Sequence, residues 1–97
     1  MPMYIALIDF TEQGVRNIQD TPKRADALAA TAKKLGVTVK DVYWTTGAHD
    51  GVLVVDAPDC KTAAALFLTL GKNGNVRTQT LRAFDRSEIE SVLGKMG

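Results

Sequence analysis

The sequence predicts an α+β fold whose elements follow the order β-α-β-β-α-β, with one further helix near the C-terminus. Two apolar runs rich in strand-forming residues, at 3–10 and 52–57, are two of the predicted strands. Two more polar runs, at 37–46 and 76–84, are the others. This order is the ferredoxin-like split arrangement, whose four-stranded antiparallel sheet has the strand order 4-1-3-2. Because central strands are the more buried ones, the two apolar runs independently fit the two central places.

Helical signals follow the first strand. Thr11 can cap a short helical turn over 12–18. Thr is a good N-cap and Pro is tolerated at the first helical position, so Thr21 and Pro22 predict the start of a longer helix. Gly36 is a suitable C-terminal stop for that helix.

Two turns compete to join the second and third strands. A two-residue turn at Asp50-Gly51 is a strong hairpin signal, but it would place Tyr43 opposite Pro58 and leave 37–42 without a partner. We therefore expect a three-residue loop at 47–49. That loop gives the pairs Thr46 with Asp50, Tyr43 with Leu53, and Lys40 with Asp56.

Two further helices are marked by their first residues. Asp59 can cap a helix over 60–71, directly after the third strand. Asp85 and Glu88 have the spacing of a capping box, which predicts that the final helix begins there. The apolar stripe of this helix consists of Ile89, Val92, Leu93 and Met96.

Composition excludes several classes of protein. The 97 residues fit one domain over 1–97, and a net charge of +1 provides no field for nucleic acid or anionic lipid. The single Cys60 and the lack of a signal-peptide or membrane-spanning pattern lead us to expect a cytoplasmic protein. One His and one Cys match no recognised metal-ligand spacing, and no phosphate loop or dinucleotide fingerprint occurs. We expect neither a metal nor a cofactor.

Both faces of the two central strands are apolar. The helices of such a fold cover only one face, and a large exposed apolar patch usually marks an interface. We therefore expect a homodimer or higher oligomer, in which sheet faces sheet. The alternative is that the C-terminal helix folds back over the second face. The alternation does not show whether Leu53 or Val54 faces the partner.

The segment that joins the second and third strands holds the candidate site. Gly47 lets backbone approach a ligand closely, and Trp44 supplies apolar area. His49 is suited to proton transfer near neutral pH, and Asp50 is the second candidate base. A small organic ligand is the expected occupant. The alternative is a turn in which Asp50 bonds backbone amides and His49 is solvated.

Basic residues form a weaker candidate site. Arg16 and Asn17 follow the first strand, and Arg77 and Arg82 lie on the fourth, so an anion or carboxylate could bind among them. Lys23-Arg24 oppose the dipole of their helix, which a bound anion or an interface salt bridge would offset. The alternative for each is a solvated charge. From the strand directions we expect Arg16 and Asn17 at the opposite end of the sheet from the start of the third strand.

The chain resembles the GYD-domain family. The resemblance rests on seven segments: Gly14-Val15-Arg16-Asn17, Pro22-Lys23-Arg24-Ala25-Asp26, Tyr43-Trp44-Thr45-Thr46-Gly47, Asp50-Gly51-Val52, Ala57-Pro58-Asp59, Gly74-Asn75-Val76-Arg77-Thr78 and the start of the first strand. The Gly-x-Tyr-Asp motif stands here as Gly47-Ala48-His49-Asp50, with His49 in the Tyr position. This family is similar to the dimeric α+β barrel proteins, which implies face-to-face packing of two sheets.

The resemblance implies two classes of function. One is an oligomeric binding or structural protein that holds a small ligand at the sheet end or the subunit interface. The other is a cofactor-independent enzyme, of the oxygenase or isomerase kind, that uses His49 or Asp50 as its base. A pocket lined by convergent polar groups would favour the enzyme.

Overall fold

A computed structural model describes all residues from Met1 to Gly97. Its elements, in chain order, are β1 (Met3–Phe10), α1 (Glu12–Arg16), a 3-10 turn (Ile18–Asp20), α2 (Thr21–Lys34), β2 (Thr38–Trp44), β3 (Gly51–Asp56), α3 (Cys60–Lys72), β4 (Val76–Ala83) and α4 (Arg86–Lys95). The four strands form one antiparallel sheet in the order β2-β3-β1-β4. This confirms the predicted α+β, ferredoxin-like fold and places the two apolar strands, β1 and β3, in the centre.

The register of the β2–β3 hairpin differs from the predicted one by one residue. Tyr43 pairs with Val52, and residues 45–50 form the connecting loop. The amide of Asp50 donates to the carbonyl of Ile8 in β1 at 2.8 Å, while the carbonyl of Asp50 accepts from Thr45 N at 2.9 Å. Asp50 is thus shared between two strands and cannot pair with Thr46 as expected. The predicted pairing was wrong because it did not include the hydrogen bond between the loop and Ile8 of β1.

A β-bulge at Lys40 shifts the register a second time, so Thr38 rather than Lys40 pairs with Asp56. The extra residue of a bulge increases the local twist of an edge strand. The expected opposite-charge contact still forms, because Lys40 Nζ lies 3.9 Å from Asp56 Oδ2.

Two acidic residues begin helices as predicted. Asp59 Oδ1 accepts from Thr62 N at 2.8 Å, and this backbone hydrogen bond holds the pKa of the Asp59 carboxyl below its usual value. At the start of α4, Asp85 Oδ1 accepts from Glu88 N at 2.8 Å, and Glu88 Oε1 accepts from Asp85 N at 3.3 Å. Both helix starts follow from local sequence, since a cap needs only residues within one turn.

The helices cover one face of the sheet. Side chains from this face and from α2 and α3 form a core that includes Tyr4, Ala6, Leu53, Val55, Leu28, Ala32, Leu66 and Phe67. Successive strand residues point to opposite faces, so the residues between them lie on the other side. We call this other side the open face; its apolar residues are Met3, Ile5, Leu7, Tyr43, Val52, Val54, Leu81 and Ala83.

The C-terminal helix does not cover the open face. None of the residues of α4 is buried, and Leu93 and Met96 are 55% and 77% exposed. The shortest dimension of the chain is 18 Å, which accommodates two layers of secondary structure about 10 Å apart but not three. The longest dimension is 51 Å, so the chain is elongated rather than round. The open face and the apolar stripe of α4 both lack a covering within the protomer.

Candidate functional site

The loop of residues 45–50 is built around a glycine and two hydrogen bonds. Gly47 has a φ of 104°, a conformation that other residues adopt at a cost. Thr45 Oγ1 donates to the carbonyl of His49 at 2.6 Å, which fixes the backbone on the far side of Gly47. The loop therefore presents His49 in one orientation.

His49 faces a carboxylate that the sequence did not indicate. Its Nδ1 lies 3.1 Å from Asp9 Oδ1, at the end of β1, and the two side chains are 32% and 41% exposed. An ionised carboxylate only accepts hydrogen bonds, so Nδ1 carries the proton in the neutral imidazole. Nε2 is then an acceptor, and no protein group bonds to it. Histidines that act as general bases are often oriented by a carboxylate in this way.

Asp50 bonds a backbone amide, which was the alternative to its being a candidate base, although this amide belongs to β1 and not to the turn. Its Oδ2 accepts from the amide of Phe10 at 2.8 Å. Together with the backbone bond from Asp50 to Ile8, this prolongs the pairing of β1 with the loop. The carboxylate of Asp50 replaces a missing strand partner, and Asp9 rather than Asp50 is the carboxylate beside His49.

The expected position of the segment after β1 was wrong. In an antiparallel pair the end of one strand lies beside the start of the other, and Ile8 indeed pairs with Gly51. The segment after β1 therefore leaves from the same end of the sheet as the His49 loop. Arg16 nevertheless pairs with Glu12 at 3.3 Å, and the carbonyl of Asn17 accepts from Arg24, so neither bonds to the loop.

The two arginines of β4 are separated by the sheet. Arg77 pairs with Asp9 and so lies on the open face at the His49 end, without an ion-pair partner within 4.0 Å. Arg82 lies at the other end and on the helix face, 5.6 Å from the ring centre of Tyr4. Arg82 also bonds Glu88 of α4 at 3.0 Å. The four basic and polar candidates thus do not form one anion site; Arg77 alone accompanies the Asp9–His49 pair.

Trp44 lies on the other side of the sheet from His49. Its indole Nε1 donates to Thr21 Oγ1 of α2 at 3.1 Å, which places the ring on the helix face. Thr21 was expected to cap α2, but it is the first residue of the helix, and its hydroxyl accepts from the indole instead. Trp44 therefore belongs to a cleft between α2 and the sheet, and His49 belongs to the open face.

Comparison with known protein families gives a match over most of the chain. The family model for the GYD domain matches residues 4–93. The chain belongs to the GYD-domain family. Within that family's motif, His49 stands where the name has Tyr, so an imidazole occupies the position beside Asp9. No curated protein matches the chain.

No group of three or more His, Cys, Asp or Glu side chains is placed to hold a metal ion. No helix is both long enough and apolar enough to cross a membrane.

Sequence reasoning missed Asp9 and recognised Arg24 only in part. Asp9 ends an otherwise apolar strand, and correct antiparallel pairing with Gly51 would have brought it to the His49 loop. Arg24 was noted for its unfavourable place in the first turn of α2, which a bound anion or an interface salt bridge would offset. Its guanidinium has a buried nitrogen without a partner, which only the packed structure reveals.

Proposed function

We propose that the protein is a homodimeric binding protein that holds a small hydroxyl-bearing organic molecule beside His49, at the end of the interface between two sheets. The observation that carries this proposal is the place of the Asp9–His49 pair, at the end of an uncovered apolar sheet face. A dimer would bury the apolar part of this face and enclose its polar end.

The size of the open face suits a second copy of the chain. Four strands about 4.8 Å apart and about eight residues long, with a rise of about 3.3 Å each, span about 500 Å². Two such faces bury about 1,000 Å², which is the lower bound for a specific interface. The exposed apolar stripe of α4 adds to this area. At its centre the face carries aliphatic side chains such as Ile5 and Val54, whereas charged residues lie at its ends and edges.

The chemistry at the end of this face defines the ligand. Nε2 of His49 accepts a hydrogen bond while Asp9 holds Nδ1, so the complementary group is a hydrogen-bond donor, for which we propose a hydroxyl, best a phenol or an enol. Leu7 and Val52, the neighbouring pair on the same face, supply apolar walls. Arg77 is placed to interact with negative charge that develops on the ligand oxygen.

A second candidate function is a cofactor-independent enzyme in which His49 removes the hydroxyl proton. The observation that favours it is the 3.1 Å contact between Asp9 and His49, because a carboxylate that accepts from Nδ1 orients the imidazole and leaves Nε2 as the acceptor. Asp9 would then be a positioning residue. Incubation with phenols and enolisable ketones in D2O, followed by mass spectrometry for new products or for deuterium bound to carbon, separates turnover from simple binding, because hydroxyl protons exchange with water without an enzyme.

The binding function is tested by NMR titration of the dimer with a panel of substituted phenols and their methyl ethers. We expect phenols to shift the imidazole resonances of His49, and the ethers to bind at least about tenfold more weakly because they donate no hydrogen bond. His49→Ala should weaken phenol binding by a similar factor. Trp44→Phe is the control, because Trp44 lies on the other face.

Two results would contradict the proposal. One is phenol binding that is unchanged by His49→Ala. The other is sedimentation of the unmodified protein at micromolar concentration as a 10.5 kDa monomer.

A further inference from the structure

A cavity on the helix face is not part of the site described above. It has a volume of about 190 Å³ and lies between α2, α3 and the start of β4. Its walls are mostly apolar, with Leu28, Leu66, Leu70 and Val76 among them, and its polar lining includes Arg24 and Asn75. The two sites are separated by the sheet itself, because the Asp9–His49 pair is on the open face.

Arg24 is the unusual member of this lining. Its Nη1 donates to the carbonyl of Asn17 at 2.7 Å. Its Nη2 is shielded from solvent, and it is the one buried side-chain nitrogen or oxygen of the chain without a hydrogen-bond partner. Arginine is always charged and its guanidinium nitrogens only donate, so this nitrogen requires an acceptor that the chain does not supply.

The chain gives Arg24 no anionic partner at this cavity. No Asp or Glu lines the cavity, and Arg24 is the only charged residue that does. Buried polar groups in proteins are nearly always satisfied, and a buried charged donor most of all. A carboxylate fits a guanidinium through two parallel hydrogen bonds. Asn75 offers a further donor, since its Oδ1 already accepts from Gln13 Nε2 at 3.1 Å and its amide nitrogen remains free.

The volume of the cavity and the polarity of its lining indicate which class of ligand it can bind. An apolar cavity of about 150 Å³ in another protein binds benzene. The present cavity is slightly larger and has one cation at its polar side. We propose that the cavity between α2 and α3 binds a small apolar monocarboxylate, of about the size of benzoate or hexanoate, with its carboxylate on Arg24. The aliphatic side chains hold the apolar body of the ligand.

The structure provides a reporter for this site. A smaller cleft of about 70 Å³ adjoins the cavity and shares Arg24, Leu28, Leu70 and Val76 with it. Trp44 lines that cleft, and it is the only Trp of the chain. A carboxylate that pairs with Arg24 therefore changes the surroundings of the indole, and fluorescence follows the titration.

The test is a titration of the full chain with benzoate and hexanoate, followed by Trp44 fluorescence and by calorimetry. Benzamide is the neutral match for benzoate, and inorganic phosphate is the anion without an apolar body. We expect saturable binding of both carboxylates, and binding of benzamide and phosphate that is at least about tenfold weaker. Arg24→Met should abolish the difference between benzoate and benzamide.

Matched variants serve as controls for the proposed site. Lys23→Met removes the neighbouring cation, which does not line the cavity, and should leave benzoate binding unchanged. Ala27→Phe adds a ring at the lining of the cavity and should block binding, whereas Ala30→Phe, at a residue of the same helix that does not line the cavity, should not. These alanine variants keep Arg24, so they decide the question even if Arg24→Met does not fold.

Four results would overturn the proposal. The first is that neither carboxylate binds saturably, and the second is that phosphate binds as tightly as benzoate. The third is that benzoate binding survives both Arg24→Met and Ala27→Phe. The fourth is that benzoate binding is lost in His49→Ala but kept in Arg24→Met. The last result would move the carboxylate to the open face. Failure of phenol binding at His49 has no bearing on this site.

Discussion

Replacement of Val54 by Lys tests the proposed interface most directly. Val54 lies on the open face near the centre of the sheet, between Ile5 of β1 and Asp41 of β2. Its neighbour Leu53 points to the opposite side and is fully buried under the helices. A lysine at position 54 is tolerated by the folded protomer, because the side chain can reach water and lies beside a carboxylate.

The size of the effect follows from the two-fold symmetry of a dimer. Burying one Val side chain stabilises by about 1.5–3 kcal/mol, and a symmetric interface contains the residue twice. Val54→Lys thus removes about 3–6 kcal/mol, before any penalty for burying the two ammonium groups. Each 1.4 kcal/mol is a factor of ten, so the dissociation constant should rise by about 10² to 10⁴.

Sedimentation velocity across a concentration series measures this change, and circular dichroism checks that the protomer stays folded. Val15→Lys is the matched control, since Val15 lies on α1 and is 57% exposed. A Val54→Lys protein that dimerises as tightly as the unmodified chain would refute the open-face interface. So would a Val15→Lys protein that dissociates to the same extent.

Three further predictions concern the protomer. Leu53→Ala should lower the free energy of unfolding by about 2–5 kcal/mol in urea denaturation, because Leu53 is fully buried, and a loss below 1 kcal/mol would contradict its place in the core. Gly14→Ala should destabilise the fold by about 1–3 kcal/mol, because the added methyl group would meet the backbone carbonyl of Asn75. Gly71→Ala is the control, because it has free space around it and should be neutral or stabilising by up to about 1 kcal/mol. Equal melting temperatures for the two variants would refute this prediction. The pKa of Asp59 is lowered in the folded state, so the unfolded state binds more protons at acid pH. The ionised carboxylate therefore stabilises the fold above the ordinary pKa of Asp, about 3.9. This stabilisation is lost as pH falls through the pKa of the folded state. Asp59→Asn should flatten the acid side of the stability profile, and an unchanged slope in acid denaturation would count against the cap.

Much of the fold could be predicted because its signals are local. The two apolar runs identify β1 and β3 as central, and the caps at Asp59 and Asp85 depend on residues within one turn. The hairpin register was harder to predict from the sequence, because it depends on a hydrogen bond from Asp50 to Ile8, which is far away in the chain. The assumed three-residue loop at 47–49 therefore placed Tyr43 opposite the wrong partner.

The candidate site was predicted only in part, for a related reason. The loop that holds His49 was indicated by its composition, but its carboxylate partner Asp9 lies forty positions earlier. Trp44 is only five positions from His49, yet the pleat and the loop place the two side chains on opposite faces of the sheet. Proximity in sequence thus suggested one site where the structure has two separate surfaces.

By itself, the sequence determined the order of strands and helices, the central position of the apolar strands and the starts of two helices. Each depends on side-chain periodicity or on contacts within one turn. The tertiary structure decided that Leu53 is covered and Val54 is not, since alternation shows which residues share a face but not which face the helices cover. It alone also decided that Asp9 meets His49 and that Arg24 has a buried nitrogen without an acceptor, because both depend on how distant segments pack together.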